Sequence, residues 1–221
     1  PRSAAVPRAA ARVPRAHRTH HWTPSARSEG APGTASGRAR AAAGMGLVLS
    51  YIMGDLARRE ARVCMLGLDG AGKTTVLGRL VRNEQEDAPV PTVGFNVERV
   101  QWGKLDLLIW DVGGQEKLRS LWKHYLDGCQ GLIYVVDSAD VDRIELARKE
   151  LGLVLADKAM RGVPVVVMAN KQDLPPALAT AAVAEGLGVG RLVDRAWHVQ
   201  ACCATAGDGI AESMAWLADR L

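Results

Sequence analysis

The sequence predicts an α/β fold: a mostly parallel six-stranded sheet with helices on both faces. Three observations carry this expectation. From Arg62 onward, short apolar runs alternate with segments of helical periodicity, as strands do with their crossover helices. The polar and glycine-rich stretches follow the runs directly, where doubly wound sheets bind ligands beyond the carboxyl ends of their strands. Two of the runs are joined through Trp102-Gly103-Lys104, which reads as an antiparallel hairpin at one side of the sheet.

In chain order, strands are expected over residues 63–68, 93–100, 105–110, 132–137, 163–169 and 197–201. The first, fourth and fifth are apolar almost throughout, as strands covered on both faces must be. Helices are expected over 73–81, 144–157, 177–187 and 210–221, where apolar residues recur at three- and four-residue spacing.

Composition bounds the rest. A chain of 221 residues, 48% hydrophobic and 24% charged, suits one domain plus a tail. No run of eighteen apolar residues occurs, so no membrane-spanning helix is expected. Cys64, Cys129, Cys202 and Cys203 show no CxxC spacing and lie in or beside apolar runs, which argues for reduced thiols rather than disulfides or a zinc site. The net charge of +4 is unevenly placed. Residues 1–44 hold eight arginines, no lysine and one acid; removing these from the totals of 28 basic and 24 acidic residues leaves 20 and 23. The body is therefore slightly acidic, and no nucleic-acid partner is expected.

Residues 1–44 hold five prolines and thirteen alanines but no Leu, Ile, Met or Phe. Such a segment buries too little apolar surface to order itself and is expected to be disordered. It reads as a transit peptide, as an arginine-rich nucleic-acid tail, or as a segment absent from the mature protein; Pro7 and Pro14 oppose the first, and the third is preferred. Met45-Gly46 then opens a sequence of different character. Residues 45–60 are expected to form an amphipathic helix, and 61–221 the folded domain.

The chemistry lies in four loops. Gly67-Leu68-Asp69-Gly70-Ala71-Gly72-Lys73-Thr74 matches GxxxxGK[ST], the phosphate-binding loop, and lies between a strand and a helix as that motif requires. Its backbone N–H groups would cradle phosphates, Lys73 would reach the β/γ-phosphates, and the Thr74 hydroxyl would ligate Mg²⁺; Thr75 is counted with the loop. The helix that follows adds its positive end. Asn170-Lys171-Gln172-Asp173 follows the fifth strand. The Asp173 carboxylate can accept from guanine N1–H and its exocyclic amine, a donor pair that adenine lacks. Cys203-Ala204-Thr205, after the last strand, offers backbone N–H groups to the guanine O6. Asp111-Val112-Gly113-Gly114 matches DxxG: Asp111 would hold Mg²⁺ through water, and Gly114 would bring a backbone N–H to the γ-phosphate. Gln115 is then placed to orient an attacking water. Thr92 is the natural second hydroxyl for Mg²⁺ when a γ-phosphate is present.

Over residues 45–221 the chain resembles the ADP-ribosylation-factor (Arf) and Arf-like small GTPases, which are Ras-like P-loop proteins. The resemblance rests on Pro91-Thr92-Val93-Gly94-Phe95-Asn96-Val97-Glu98, Trp110-Asp111-Val112-Gly113-Gly114-Gln115-Glu116-Lys117 and Leu121-Trp122-Lys123-His124-Tyr125. Asn170-Lys171-Gln172-Asp173-Leu174-Pro175 and Cys203-Ala204-Thr205-Ala206-Gly207-Asp208-Gly209 complete it. It implies a monomeric GDP/GTP switch that hydrolyses GTP slowly, an exchange factor, a GTPase-activating protein, and effectors binding near Thr92 to Tyr125. It also implies a cytoplasmic protein reversibly associated with the Golgi or another endomembrane. Met45-Gly46-Leu47-Val48-Leu49-Ser50 matches the N-myristoylation pattern, which makes Gly46 the candidate lipidation site. Ala218-Asp219-Arg220-Leu221 is no prenylation signal.

Three other functions fit parts of the sequence: a non-hydrolysing GTP-binding scaffold, an adenine-nucleotide enzyme, and a nucleic-acid binder. Gln115, Asp173 and the acidic body weigh against them in turn. Trp110, Trp122, Trp197 and Trp216 are expected to be packing residues, and Arg143, Arg148 and Lys149 a solvated helix face.

Overall fold

The computed structural model describes residues 58–82, 92 and 94–221. The expected disordered extension, residues 45–57 of the expected amphipathic helix with Gly46, and residues 83–91 and 93 lie outside the described residues.

Strand β1 (Arg59–Leu66) begins four residues before the apolar run and takes in Arg59 and Glu60, the end of the segment read as helical. The reason is main-chain pairing. Arg59 N–H donates to the Lys104 carbonyl at 3.0 Å, and Arg59 through Met65 pair in parallel with β3 (Leu105–Val112). A hydrogen-bonded ladder needs no apolar side chains, so the polar start leaves no hydropathy signal.

Helix α1 (Lys73–Arg82) follows the glycine-rich loop, and β2 (Phe95–Trp102) forms the expected hairpin with β3 through Gly103, at φ +57°. After β3 come a short α2 (Glu116–Arg119) and a 3₁₀ turn, Trp122–Tyr125. Strand β4 (Gly131–Asp137) leads through a 3₁₀ turn, Val141–Arg143, into α3 (Ile144–Leu155). That helix stops two residues short of expectation because the Asp157 carboxylate accepts from Ala159 N–H and caps the next turn. Strand β5 (Val165–Asn170), α4 (Thr180–Leu187), β6 (Trp197–Ala201) and α5 (Ile210–Ala218) complete the domain. Helix α4 starts three residues late: Ala179 keeps an extended backbone, with φ −62° and ψ 155°, and the helix begins at Thr180.

The sheet order is β2-β3-β1-β4-β5-β6, antiparallel only between β2 and β3. The period of two along β4 sorts the core. Leu132, Tyr134 and Val136 pack with Ala147 and Leu151 of α3 and Val183 of α4; Ile133 and Val135 pack with Val76 and Leu77 of α1 and Met214 and Leu217 of α5. All four cysteines are free and buried, as expected. Trp122 is a core residue, 2% exposed.

Candidate functional site

The four motif loops meet at the carboxyl ends of β1, β3, β5 and β6. The phosphate-loop motif, Gly67 to Thr74, leaves β1 and turns into α1 at Lys73. Its shape depends on small residues. Gly72 has φ +95°, and a Cβ there would lie 2.4 Å from the Asn170 amide nitrogen. Lys73 folds back over the loop, its Nζ donating to the Gly67 and Leu68 carbonyls at 2.9 Å each. Burial pushes the Lys73 ammonium down to about 8, against the pull of the Asp111 and Asp69 carboxylates.

Beside Lys73, three oxygens converge. The Thr74 hydroxyl donates to Asp111 Oδ2 at 2.9 Å and lies 2.9 Å from the Thr92 hydroxyl. Asp111 is fully buried; desolvation raises its carboxyl above the ordinary range, opposed by the Thr74 hydrogen bond and the Lys73 charge. Its other oxygen, Oδ1, is buried with no hydrogen-bond partner among the described residues. A buried carboxylate oxygen left open beside two hydroxyls is a hard-oxygen donor set of the kind Mg²⁺ takes. Thr75 sits half-buried on the first turn of α1.

Gly114 lies against the phosphate loop so closely that a Cβ would be 2.4 Å from the Gly67 carbonyl and 2.5 Å from Asp69 N. The Gly113 carbonyl accepts from Trp122 Nε1 at 3.0 Å and the Gly114 carbonyl from Arg119 Nε at 2.8 Å. Gln115, next in the chain, is exposed, and its side chain makes no capping bond to α2.

Two arginines in this region were not expected in the site. Arg119 also donates to Asp69 Oδ1 at 3.0 Å and pairs with Glu150 of α3. Arg143, read from the sequence as part of a solvated face, instead pairs with Asp69 and Asp140. Burial works to raise the Asp69 carboxyl; its own backbone hydrogen bond and the two guanidiniums outweigh that and hold it low. Arg148 remains on the surface, paired with Glu145. The only sequence trace of the Asp69 cluster is one acid in the phosphate loop, which has no local partner.

At the other end, Asn170 is buried and both ends of its amide are used. Its Nδ2 donates to the Ala71 carbonyl at 2.8 Å and its Oδ1 accepts from Ala204 N–H at 2.9 Å. It thus ties the phosphate loop to the loop after β6. Lys171, with φ +65°, is the one non-glycine residue at positive φ among the described residues, and its ammonium pairs with Asp137 at 2.6 Å. Asp173 is exposed, and its Oδ1 accepts from the Cys203 thiol at 3.3 Å. The Cys203 sulfur also lies 3.1 Å from the Thr205 hydroxyl. Cys203 N–H donates to the Asp208 carbonyl, so of the donors expected at 203–205, those of Cys203 and Ala204 both bond within the protein.

Beyond the loops, Phe95 stacks on Trp110 and touches Tyr125, with the Arg62 guanidinium over the Trp110 ring. Phe95 is 42% exposed and Leu121 41%.

A phosphate-type loop, a carboxylate-and-hydroxyl cluster beside it and an NKxD loop, all at the carboxyl edge of this sheet, define a Ras-like P-loop domain. The family model of the ADP-ribosylation factors matches residues 48–221, and the chain belongs to that family. It is also similar to the solved Arl6 BBS3 small GTPase from Trypanosoma brucei with bound nucleotide analogue GppNp: 31% identity, TM-score 0.67, covering 73% of this chain and 96% of that one. The protein is thus a small GTPase, a GTP-binding switch of a family that works with exchange factors, activating proteins and effectors. No helix among the described residues is long and apolar enough to cross a membrane.

Proposed function

We propose that this protein hydrolyses GTP with Mg²⁺ and, in its GTP state, recruits effectors to a membrane surface. The observation that carries the reading is the convergence of the Thr74 and Thr92 hydroxyls on Asp111, whose second oxygen is open. Thr92 is the hydroxyl expected on Mg²⁺ when a γ-phosphate is present, and its place beside the Thr74 hydroxyl supports that role. In this reading the backbone of Gly67, Leu68, Asp69, Gly70, Ala71 and Gly72 cradles the phosphates with Lys73, and Thr74 and Thr75 follow on α1. Thr74 and Thr92 would hold Mg²⁺, with Asp111 acting through water; when bound, the ion would neutralise charge on the phosphate oxygens. Gly114 N–H meets the γ-phosphate and Gln115 orients the water. Lys171 and Asp173 face the base, and the loop after β6 reads its O6 from Thr205 onward, since the Cys203 and Ala204 N–H groups are taken by Asp208 and Asn170; Asn170 holds the loops in place. Effectors bind the exposed face around Phe95, Leu121 and Tyr125. Single-turnover hydrolysis by GTP-loaded full-length protein tests this: it should require Mg²⁺ and be lost in Thr74→Asn. Undiminished turnover in excess chelator would overturn the metal assignment.

The Lys73 environment adds a proton signature. Bound phosphates raise its pKa above the value of about 8 in the nucleotide-free protein. Above pH 8, GDP binding should therefore take up as much as about one proton and weaken as pH rises. Calorimetry at pH 9 in buffers of differing ionisation enthalpy checks this; heats independent of buffer would remove Lys73 from the phosphate site.

Membrane association is proposed to run through an acyl chain on Gly46 and the apolar face of the segment over residues 45–57. Leu47, Val48, Leu49, Tyr51, Ile52, Met53 and Leu56 make that face broad, while Ser50 and Gly54 lie opposite. One myristoyl chain gives only reversible binding of about 10⁴ M⁻¹, so both elements are needed. The family resemblance supplies the switch: the segment packs with GDP and is expelled with GTP as the β2–β3 hairpin shifts. A shift by two residues preserves which side chains are buried, whereas one residue would invert them. The surface it reaches is cytoplasmic and belongs to the Golgi or another endomembrane. Acylated protein should co-sediment with liposomes when loaded with a GTP analogue and not with GDP, and Gly46→Ala should lose this. Equal sedimentation in both states would refute the switch.

A further inference from the structure

Arg79 lies on the second turn of α1, outside every motif, yet it reaches 125 residues along the chain to the loop after β6. Its Nε donates to the Ala204 carbonyl at 3.2 Å and its Nη2 to the Thr205 carbonyl. Two successive carbonyls are therefore turned toward α1. No cis peptide bond occurs among the described residues, and across a trans peptide the N–H points opposite to the C=O. The N–H groups of Thr205 and Ala206 are consequently turned away from α1. The same loop meets the base-reading carboxylate through Cys203, whose thiol touches both Thr205 Oγ1 and Asp173 Oδ1. The preceding peptide is fixed separately, by Ala204 N–H bonding to Asn170 Oδ1. Three consecutive peptide planes are thus set by two side chains from distant elements.

On guanine, O6 adjoins N1, so a ring whose N1–H meets Asp173 brings O6 to the neighbouring backbone donors. We propose that Arg79 is a positioning residue for guanine selectivity: by holding the Ala204 and Thr205 carbonyls, it aims the Thr205 and Ala206 N–H groups at O6. The proposal rests on the guanine-nucleotide reading above. A guanidinium suits the task because its planar fork presents parallel donors to two acceptors, whereas an ammonium is a single point. Without that grip a loop peptide can rotate, and its donors are no longer aimed before the base arrives.

The test compares GDP with 6-thio-GDP, which keeps N1–H and the amine facing Asp173 and changes only the acceptor at position 6. Full-length wild type should prefer GDP. In Arg79→Ala that preference should narrow about five- to tenfold, the factor carried by one aimed hydrogen bond. Arg79 is half-buried, and Arg79→Lys keeps the stem and charge while serving one carbonyl; it should fold as wild type and narrow the preference by part of that factor. An anchor that merely holds the fold together would weaken both nucleotides alike, and equal losses overturn the proposal. An unchanged preference in Arg79→Ala overturns it as well. Failure of wild type to bind GDP would instead overturn the guanine reading, and this inference with it.

Discussion

Gln115→Leu is expected to bind GTP as wild type does while losing activator-stimulated hydrolysis by about 10³-fold or more. Three features lead there. The Gln115 side chain is exposed and makes no capping bond, so its loss costs the fold little. The backbone before it is held independently, by Trp122 on the Gly113 carbonyl and Arg119 on the Gly114 carbonyl, so the variant keeps its main-chain geometry. The local arginines are already committed: Arg119 to Gly114, Asp69 and Glu150, and Arg143 to Asp69 and Asp140. Neither is free to stabilise transition-state charge in cis, so intrinsic turnover is expected to be slow and that role to fall to an arginine supplied in trans. Such an arginine is typically worth about 10³–10⁵ in rate, and it acts on a water that must already be oriented. Single-turnover hydrolysis with activating protein is the measurement. Wild-type rates in the variant would show that Gln115 does not position the water.

Asp173→Asn is expected to lower GDP affinity about 10- to 150-fold, the equivalent of about 1.5–3 kcal/mol for hydrogen bonds to a charged acceptor. The amide retains an oxygen for the Cys203 thiol but sets a donor against guanine's own donors. Xanthine carries a carbonyl where guanine has its amine, so xanthosine diphosphate should lose less than GDP or gain. Competition of both nucleotides against a fluorescent GDP measures the two affinities. Equal losses would mean that Asp173 supports the loop without reading the base.

The sequence by itself determined the sheet, the helices on its two faces and the loops that carry chemistry. Each is a short-range signal: strands written as apolar runs, a phosphate loop as fixed glycine spacing, a hairpin as the short connection Trp102-Gly103-Lys104. It also determined the family, through strings that are each contiguous in the chain. What it withheld lies at long separation. The polar start of β1 at Arg59 is created by ladder bonds to β3, and a backbone ladder is indifferent to side-chain hydropathy. The segment before α4 is held to the end of β4 by a bond from Leu178 N–H to the Ser138 carbonyl, and the helix begins after the extended Ala179. Arg143 reads as a surface charge because its partner Asp69 is 74 residues away, and only the packing of α3 beside the phosphate loop brings the two within 3.1 Å. Arg79 is silent in the sequence for the same reason: a guanidinium's role is set by which carbonyls the fold lays within its reach, and local pattern records only the neighbours along the chain.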